Sequence, residues 1–213
     1  MRLMRYGIRV SSGQTLRDRK RQRTRQALID AATDLFERFG YDATTVADIA
    51  AAADIGTRTF FSYFASKEEV LFPEVDARVR AALDAIANRR PDDRPADLLL
   101  NALRDVGPAD MVGRLAALRL RLTAAVPAVR GRALQIQLDA QREIARHLRA
   151  AFPDELDEVD AAALVGAFMG AVTGALQVLL ADPDAIPADP EILRERLCRA
   201  TDAALHPWLR DQR

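Results

Sequence analysis

The chain has 213 residues, of which 49% are apolar, and its formal net charge is zero. An apolar content of this size is typical of a globular chain and excludes a disordered one, and the length is enough for one small and one larger domain. Cys198 is the single cysteine, which excludes a disulfide framework or a cysteine metal cage within one chain.

The charge is unevenly distributed along the chain. Residues 1–25 hold nine basic residues against one acidic residue, Asp18, so this segment carries +8 and the remainder carries −8. For residues 1–16 we expect a disordered basic tail, or a translation start placed too early. For the stretch from Arg17 to Arg25 we expect contact with phosphates, because basic segments attract nucleic acid.

The first predicted helix follows this basic stretch. Apolar residues recur at the three-and-four spacing of an amphipathic helix from Ala27 to Phe39. Gly40 comes next, at the position where a helix prefers a left-handed C-terminal cap. Thr45 and Asp48 have the spacing of a capping box, which predicts the start of a second helix.

A short turn and a third helix complete the pattern. We expect residues 54–56 to form the turn, with Ile55 pointing inward, and residues 57–64 to form the third helix. Ser66 and Glu69 have the spacing of another capping box, which predicts the start of a fourth helix. The alternative reading is an ordinary helical bundle, in which Phe60 and Phe64 are core residues and the preceding polar residues are merely solvated.

Residues 24–72 resemble the DNA-binding domain of TetR-family one-component regulators, with no gap over almost fifty residues. The matching residues are Ala32, Leu35, Phe36, Gly40, Tyr41, Thr44, Thr45, Val46, Ile49, Ala50, Ala53, Ile55, Thr59, Tyr63, Phe64, Ser66, Lys67, Glu68 and Leu71. The chain departs from the family pattern at Asp54, where the family usually has Gly, and at Gly56, where it usually has Ser or Thr. Phe61 stands where the family often has Tyr, so a hydroxyl contact to phosphate is missing.

The resemblance implies that the third helix enters the major groove of DNA. Thr57, Arg58 and Thr59 would then read base edges, since an arginine can bind guanine through two hydrogen bonds. Phosphates would be held by the remaining candidates. The full set of candidate DNA-binding residues is Arg25, Thr44, Thr45, Thr57, Arg58, Thr59, Tyr63 and Lys67.

The rest of the chain shows no alternation typical of strands, so the predicted fold class is all-α. A three-helix helix-turn-helix DNA-binding domain over residues 17–70 precedes a larger ligand-binding and dimerisation domain over residues 71–213. The second domain should begin near Leu71, within the fourth helix, and Pro73 should kink that helix. Such a kink would act as a pivot between the two domains. Proline-containing breaks separate the later helices at residues 91–95, 107–108, 127 and 152–153.

Residues 161–181 form an uncharged, apolar run flanked by Asp160 and Asp182. Its length satisfies the test for a transmembrane helix, but flanking acids without an aromatic belt favour a helix buried in a soluble interface. The resemblance implies that the last two long helices form a four-helix bundle in a homodimer. The candidate interface residues are Gly166, Gly170, Gly174, Leu193 and Leu197.

Apolar residues among the fourth to eighth helices are candidates for an effector cavity, although each is also explained as an ordinary core residue. They are Met111, Leu115, Leu118, Leu122, Leu134, Leu138, Phe168 and Met169. The DNA-binding half is similar to a family branch that responds to acyl-CoA-like ligands. A large hydrophobic drug or metabolite is an equally open alternative.

No nucleotide-binding glycine loop, nucleophile elbow or paired metal-ligand motif is present in the sequence, so we expect neither an enzyme nor a cofactor. The N-terminus lacks the apolar core of a secretory signal, which favours a cytoplasmic protein. The sequence therefore predicts a homodimeric regulator, a repressor by family habit, that a small hydrophobic ligand releases from a palindromic operator. An activator of the same family and a membrane-anchored regulator using residues 161–181 are the alternatives.

Overall fold

The structure is a computed structural model that describes residues 15–73, 75–105, 113–179 and 190–209. These residues form helices joined by turns and loops, without a strand, which confirms the predicted all-α fold. The described α-helices are α1 (Leu16–Phe39), α2 (Val46–Ala52), α3 (Thr57–Phe60), α4 (Val75–Ala87), α5 (Pro95–Asp105), α6 (Arg114–Ala125), α7 (Pro127–Ala151), α8 (Glu158–Leu179) and α9 (Pro190–Leu209). A 3-10 helix, Glu68–Leu71, lies between α3 and α4.

Capping residues at both ends of α1 determine where this helix begins and ends. Thr15 caps the N-terminus of α1 in a capping box with Asp18, so the last two residues of the predicted tail belong to the helix start. Residues 1–14 lie outside the described residues. Gly40 ends the helix with φ 86° and ψ 161°. The positive φ expected of this glycine is confirmed, but its ψ lies outside the left-handed helical region.

The capping box predicted for α2 is confirmed. The backbone N–H of Asp48 donates to the Thr45 hydroxyl (3.2 Å), and the backbone N–H of Thr45 donates to the Asp48 carboxylate (2.9 Å). These hydrogen bonds satisfy N–H groups that the first turn of a helix leaves without partners. The Asp48 carboxylate also accepts from the Thr45 hydroxyl (2.6 Å), and this hydrogen bond, followed by the one from the Thr45 backbone N–H, lowers the pKa of Asp48.

Two predictions about the start of the fourth helix are wrong. The Glu69 carboxylate accepts a hydrogen bond from the backbone N–H of Ala65 (2.7 Å), and the 3-10 helix starts without a side-chain cap, so Ser66 and Glu69 form no capping box. Pro73 lies between the 3-10 helix and α4, so it separates two helices and kinks neither. The physical reason is that a proline disfavours helical backbone in the residue before it, and Phe72 has φ −125° and ψ 46°.

The buried residues form two main cores. The N-terminal core joins α1, α2, α3 and the 3-10 helix, and it also takes in Leu118 of α6 and Val129 of α7. The C-terminal core joins α4, α5, α7, α8 and α9. The long helix α7 therefore contributes buried residues to both cores.

The helix α6 packs on the N-terminal core, which corrects part of the predicted effector cavity. Leu115, Leu118 and Leu122 belong to or pack against that core because their face of α6 turns toward the N-terminal helices. Nearby, the Arg114 guanidinium pairs with Asp34 (2.5 Å) and Glu37 (2.6 Å) of α1. These leucines therefore pack α6 against the N-terminal core.

The remaining cavity candidates have different surroundings. Leu134 and Leu138 of α7 are 55% and 50% exposed in the single chain, so they do not line an enclosed cavity there. Phe168 and Met169 of α8 are half-buried against the C-terminal core. Met111 lies outside the described residues.

The glycine row on α8 lies partly against its own chain and partly on the surface. A Cβ added at Gly166 would lie 2.9 Å from Nε2 of Gln141 on α7, so this glycine lets α7 approach. Gly170 and Gly174 are exposed, with no atom within 4 Å of an added Cβ. By length and composition α8 is able to cross a membrane, and 17% of its most apolar 18-residue window is buried.

One predicted interface residue of α9 is wrong. The Leu197 side chain is 0% exposed, and it packs with Leu103 of α5, so a partner chain has no access to it. The expectation that Leu197 lies on the outer face failed because α9 turns this position toward α5 and α8. The side chain of Leu193 lies outside the described residues.

Candidate DNA-binding surface

The third helix exposes three polar side chains to solvent and is held in place by one buried side chain. Phe60 is 0% exposed, and its ring centroid lies 5.8 Å from that of Phe64. Burying such a side chain stabilises its position by about 1.5–3 kcal/mol. Thr57, Arg58 and Thr59 immediately precede it and are all exposed. The anchor thus fixes a short helix whose opposite face is free to contact a ligand.

The turn between α2 and α3 sets the angle of this helix. Asp54 has φ 55°, in the left-handed region, and aspartate tolerates this conformation better than most residues. The next backbone N–H, of Ile55, donates to the carbonyl of Ala50 (2.9 Å). Gly56 then caps α3 with extended backbone and no side-chain hydrogen bond.

Regular α-helix in α3 is shorter than predicted, although the helical winding continues. The α-helix covers Thr57–Phe60, and turns follow through residue 63. The backbone N–H of Phe64 still donates to the carbonyl of Phe60 (3.1 Å). The aromatic residues after α3 are therefore held in a fixed position relative to the exposed face.

Among the phosphate candidates, Thr44 is wrong as a side-chain contact. Its side chain is 2% exposed, and its hydroxyl donates to the carbonyl of Gly40 (2.8 Å). A threonine hydroxyl has one proton to donate, so this internal bond leaves none for a phosphate. Thr45 is exposed, but its hydroxyl proton is directed at Asp48 (2.6 Å). Its phosphate contact stays a prediction.

Lys67 is partly committed to holding the fold. Its Nζ donates to the carbonyls of Tyr41 and Thr44 (2.9 Å each), and it lies 3.9 Å from the centroid of the Tyr41 ring. A lysine ammonium has three protons, so one stays available for a phosphate. The phosphate contact of Lys67 stays a prediction, and the structure adds a role in fixing the loop before α2.

A hydrogen bond next to Lys67 connects α1's end to the 3-10 helix. The Tyr41 hydroxyl donates to the Glu68 carboxylate. Burial, followed by this carboxylate, raises the pKa of Tyr41 well above its ordinary value. Burial alone would raise the pKa of Glu68, but the hydrogen bonds from the Tyr41 hydroxyl, the Ser66 hydroxyl and the Glu68 backbone N–H, together with the charge of Lys67, lower that pKa. Both shifts favour a neutral phenol bound to a charged carboxylate.

Two arginines of α1 contact the aromatic residues that follow α3. The Arg25 guanidinium lies 5.0 Å from the Phe64 ring centroid and donates to the carbonyl of Pro73 (3.1 Å). The Arg21 guanidinium lies 5.7 Å from the Tyr63 ring centroid. Arg25 is half-buried by these contacts, whereas Arg21 is exposed. The C-terminal end of the basic segment therefore lies beside the aromatic residues that follow α3.

The sequence comparison identifies the family. The family model described as "Bacterial regulatory proteins, tetR family" matches residues 28–72. The chain is 35% identical over 154 residues to the HTH-type transcriptional regulator TcmR of Streptomyces glaucescens, a match that covers 69% of this chain and 68% of that protein. The chain belongs to the TetR family. As a TetR-family protein it is a DNA-binding transcriptional regulator.

Solved structures of TetR-family proteins share the fold. Thermus thermophilus FadR in complex with lauroyl-CoA has a TM-score of 0.55 and 20% identity, and the match covers 89% of this chain and 97% of that one. The SmeT–triclosan complex has a TM-score of 0.57 and 19% identity, with 89% and 93% covered. At these identities the likeness is one of fold.

The sequence did not reveal one ion pair that involves the 3-10 helix after α3. Arg132 of α7 pairs with Glu69 of the 3-10 helix, although 63 residues separate them. Arg132 also donates to the side chain of Gln135 (2.9 Å), while its buried Nε has no hydrogen-bond partner among the described residues. No periodicity or motif joins positions so distant, so only the fold reveals this pair.

Proposed function

We propose that this TetR-family protein is a homodimeric, cytoplasmic repressor that a small hydrophobic ligand releases from a palindromic operator. The observation that carries the proposal is the exposed row Thr57–Arg58–Thr59 on a helix anchored by buried Phe60. A short helix with an exposed polar face fits the major groove, where arginine binds guanine through two hydrogen bonds. The proposed activity is binding alone, without catalysis.

The proposed dimer uses the exposed face of α8. Gly170 and Gly174 leave open space on a helix whose most apolar window is only 17% buried in one chain. Small residues let a second helix approach closely, and burying the apolar face against a second copy removes it from water. A two-fold dimer places two reading helices about 34 Å apart on the same side of the duplex.

The proposed effector is hydrophobic and binds among the C-terminal helices. Phe168 packs against the C-terminal core and also against the small cluster of Leu103 and Leu197. Met169, beside it, is only partly buried, so both side chains can rearrange around an apolar ligand. FadR and SmeT, which share this fold, bind lauroyl-CoA and triclosan in their structures. Those two ligands share apolar character, which supports a hydrophobic effector, with an acyl-CoA-like molecule as one candidate.

The effector can release DNA only by binding the two conformations of the dimer with different affinity. The DNA-bound conformation keeps the reading helices at the operator spacing. A ligand that favours another spacing lowers operator affinity by the same factor by which DNA lowers ligand affinity. This reciprocity gives a direct test of any candidate effector.

Selection of duplexes from a random pool with the purified full-length protein tests the proposal. We expect an inverted repeat whose half-site centres lie about 34 Å apart, bound by two protomers, and weakened by acyl-CoA or another apolar compound. Enrichment of no repeat, or binding by one protomer, would contradict it. Fractionation of expressed protein separates the rival membrane-anchored regulator, since that protein would enter the membrane pool. Transcription from the selected operator separates repressor from activator.

A further inference from the structure

The N-terminal part of α1 extends well beyond the N-terminal core, into which the rest of the helix packs. Its first fully buried residue is Leu28, twelve residues after the helix begins at Leu16. A complete capping box at Thr15 and Asp18 nevertheless specifies the helix start. The local sequence therefore encodes a projecting helix of about three turns, and tertiary packing does not account for it.

The positive charges within this projecting segment destabilise its helix. Arg17 and Arg21, Arg19 and Arg23, and Arg21 and Arg25 are like-charged pairs four residues apart, which destabilise a helix. Positive charge near a helix N-terminus is also unfavourable because of the helix dipole. Among the described residues, no acidic side chain pairs with the exposed Arg17, Arg19, Lys20 or Arg23. A polyanion laid against the segment would relieve this repulsion.

The contacts of Arg21 and Arg25 show which side of the segment faces the reading helix. Both guanidiniums lie over aromatic rings immediately after α3, those of Tyr63 and Phe64. Arg17 lies four residues before Arg21, so it extends the same face. At about 100° per residue, Arg19 and Arg23 lie on the opposite side of α1.

We propose that the Arg17–Arg21 face of α1 binds the phosphate backbone of the duplex just outside the half-site that α3 reads. This inference rests on the proposed function, because it requires the protein to bind an operator. From Arg17 to Arg25 the helix rises about 12 Å. One strand of duplex DNA carries about one phosphate charge per 3.4 Å of helix axis, so a row of this length spans about three to four phosphates.

The helix offers a matched pair of variants. Arg17→Gln with Arg21→Gln removes two charges from the proposed contact face, and Arg19→Gln with Arg23→Gln removes two charges at the same spacing from the other face. Each lost phosphate contact lowers the slope of log affinity against log salt by about 0.9, so the first variant should lower the slope by about 3 to 4 per dimer. Between 50 mM and 200 mM salt the wild type should then lose about 100-fold more affinity than this variant. The second variant should stay close to the wild type.

The length of the duplex provides a second readout. Extending the selected operator by about four base pairs at each end, about 13 Å, should strengthen binding of the wild type and of the Arg19→Gln/Arg23→Gln variant. It should add little for the Arg17→Gln/Arg21→Gln variant. Equal slopes in the two variants, with normal binding by the wild type, would overturn the inference and leave the proposed function intact. A wild type that binds no duplex overturns both.

A lipid surface is the other polyanion that would suit this face. Titration with vesicles of phosphatidylserine and phosphatidylcholine at a one-to-three ratio provides that comparison. The Arg17→Gln/Arg21→Gln variant should bind these vesicles as weakly as the wild type does. If that variant lost vesicle binding while keeping the wild-type salt slope on DNA, the face would be a lipid-binding surface and the inference would be wrong. Circular dichroism of both variants confirms that α1 stays helical.

Discussion

The guanidinium of Arg132 on α7 is paired with the carboxylate of Glu69 in the 3-10 helix that follows α3. The side chains are 30% and 24% exposed, so solvent screens the pair only in part. The other carboxylate oxygen of Glu69 accepts from the backbone N–H of Ala65 (2.7 Å). Glu69 therefore connects α7 to the segment just after α3.

Removing either partner of this pair should destabilise the protein by more than a surface pair would. Glu69→Gln or Arg132→Gln should each cost about 1.5–3 kcal/mol, because a charged hydrogen bond is lost in a partly buried place. The double variant should reveal a coupling energy of about 0.5–3 kcal/mol in denaturant unfolding. Asp139 and Arg142 on the same helix form an exposed pair 3.9 Å apart, whose coupling should stay below about 1 kcal/mol. Additive effects at Glu69 and Arg132 would show that the pair carries no energy.

The hydrogen bond from Tyr41 to Glu68 should make stability depend on pH. Glu68 has a lowered pKa in the folded state, so its stabilising contribution is complete above its ordinary pKa of 4.5 and is lost as pH falls through the lowered value. Tyr41→Phe should cost about 1.5–3 kcal/mol near neutral pH, because a hydrogen bond to a charged group is removed. The difference from the wild type should shrink below about pH 4. Unfolding by urea at several pH values measures it.

Tyr63→Phe serves as the control for that series, since the Tyr63 hydroxyl has no hydrogen-bond partner in the part of the chain that the structure describes. Its unfolding free energy should follow the wild type at every pH. A Tyr41→Phe cost that stayed constant from neutral to acidic pH would show that Glu68 is not the charged partner.

The exposed glycines of α8 should matter to the dimer and not to the folded single chain. Gly170→Leu adds bulk where one chain offers open space, so only a partner helix would meet the new side chain. We expect an overpacking cost of about 1–3 kcal/mol at the interface and a weaker dimer in sedimentation. Gly131→Leu on α7 is the matched control, because Gly131 is also exposed with no atom within 4 Å of an added Cβ. A Gly170→Leu protein as dimeric as Gly131→Leu would remove α8 from the interface.

Local sequence was enough to predict the elements that local chemistry determines. The capping box of Thr45 and Asp48, the positive φ of Gly40 and the breaks between the later helices all depend on residues close in sequence. The exposed row before Phe60 also followed from the motif. Pro73 was the local failure: a proline is compatible with a kink or with a helix end, and the sequence does not choose between them.

Tertiary packing decided what local sequence could not. The apolar character of Leu115, Leu118 and Leu122 made them candidates for a cavity, but the sequence does not say which core they meet. In the same way Leu197 lies on an apolar face that is turned inward. The pairing of Arg132 with Glu69 depends on two helices meeting across the domain boundary, which no short-range pattern encodes.

Binding of Arg58→Ala to a selected operator and to a random duplex tests the central claim, that α3 reads bases, most directly. Arg58 is exposed and has no side-chain partner among the described residues, so its removal leaves the fold intact. The variant should lose about 1–3 kcal/mol of binding free energy on the operator, with relaxed preference at one base pair and little change on random DNA. Tyr63→Phe is the comparison, since its hydroxyl is a phosphate candidate with no hydrogen-bond partner among the described residues, so its loss should weaken both duplexes equally. Equal weakening of both duplexes by Arg58→Ala would contradict the claim.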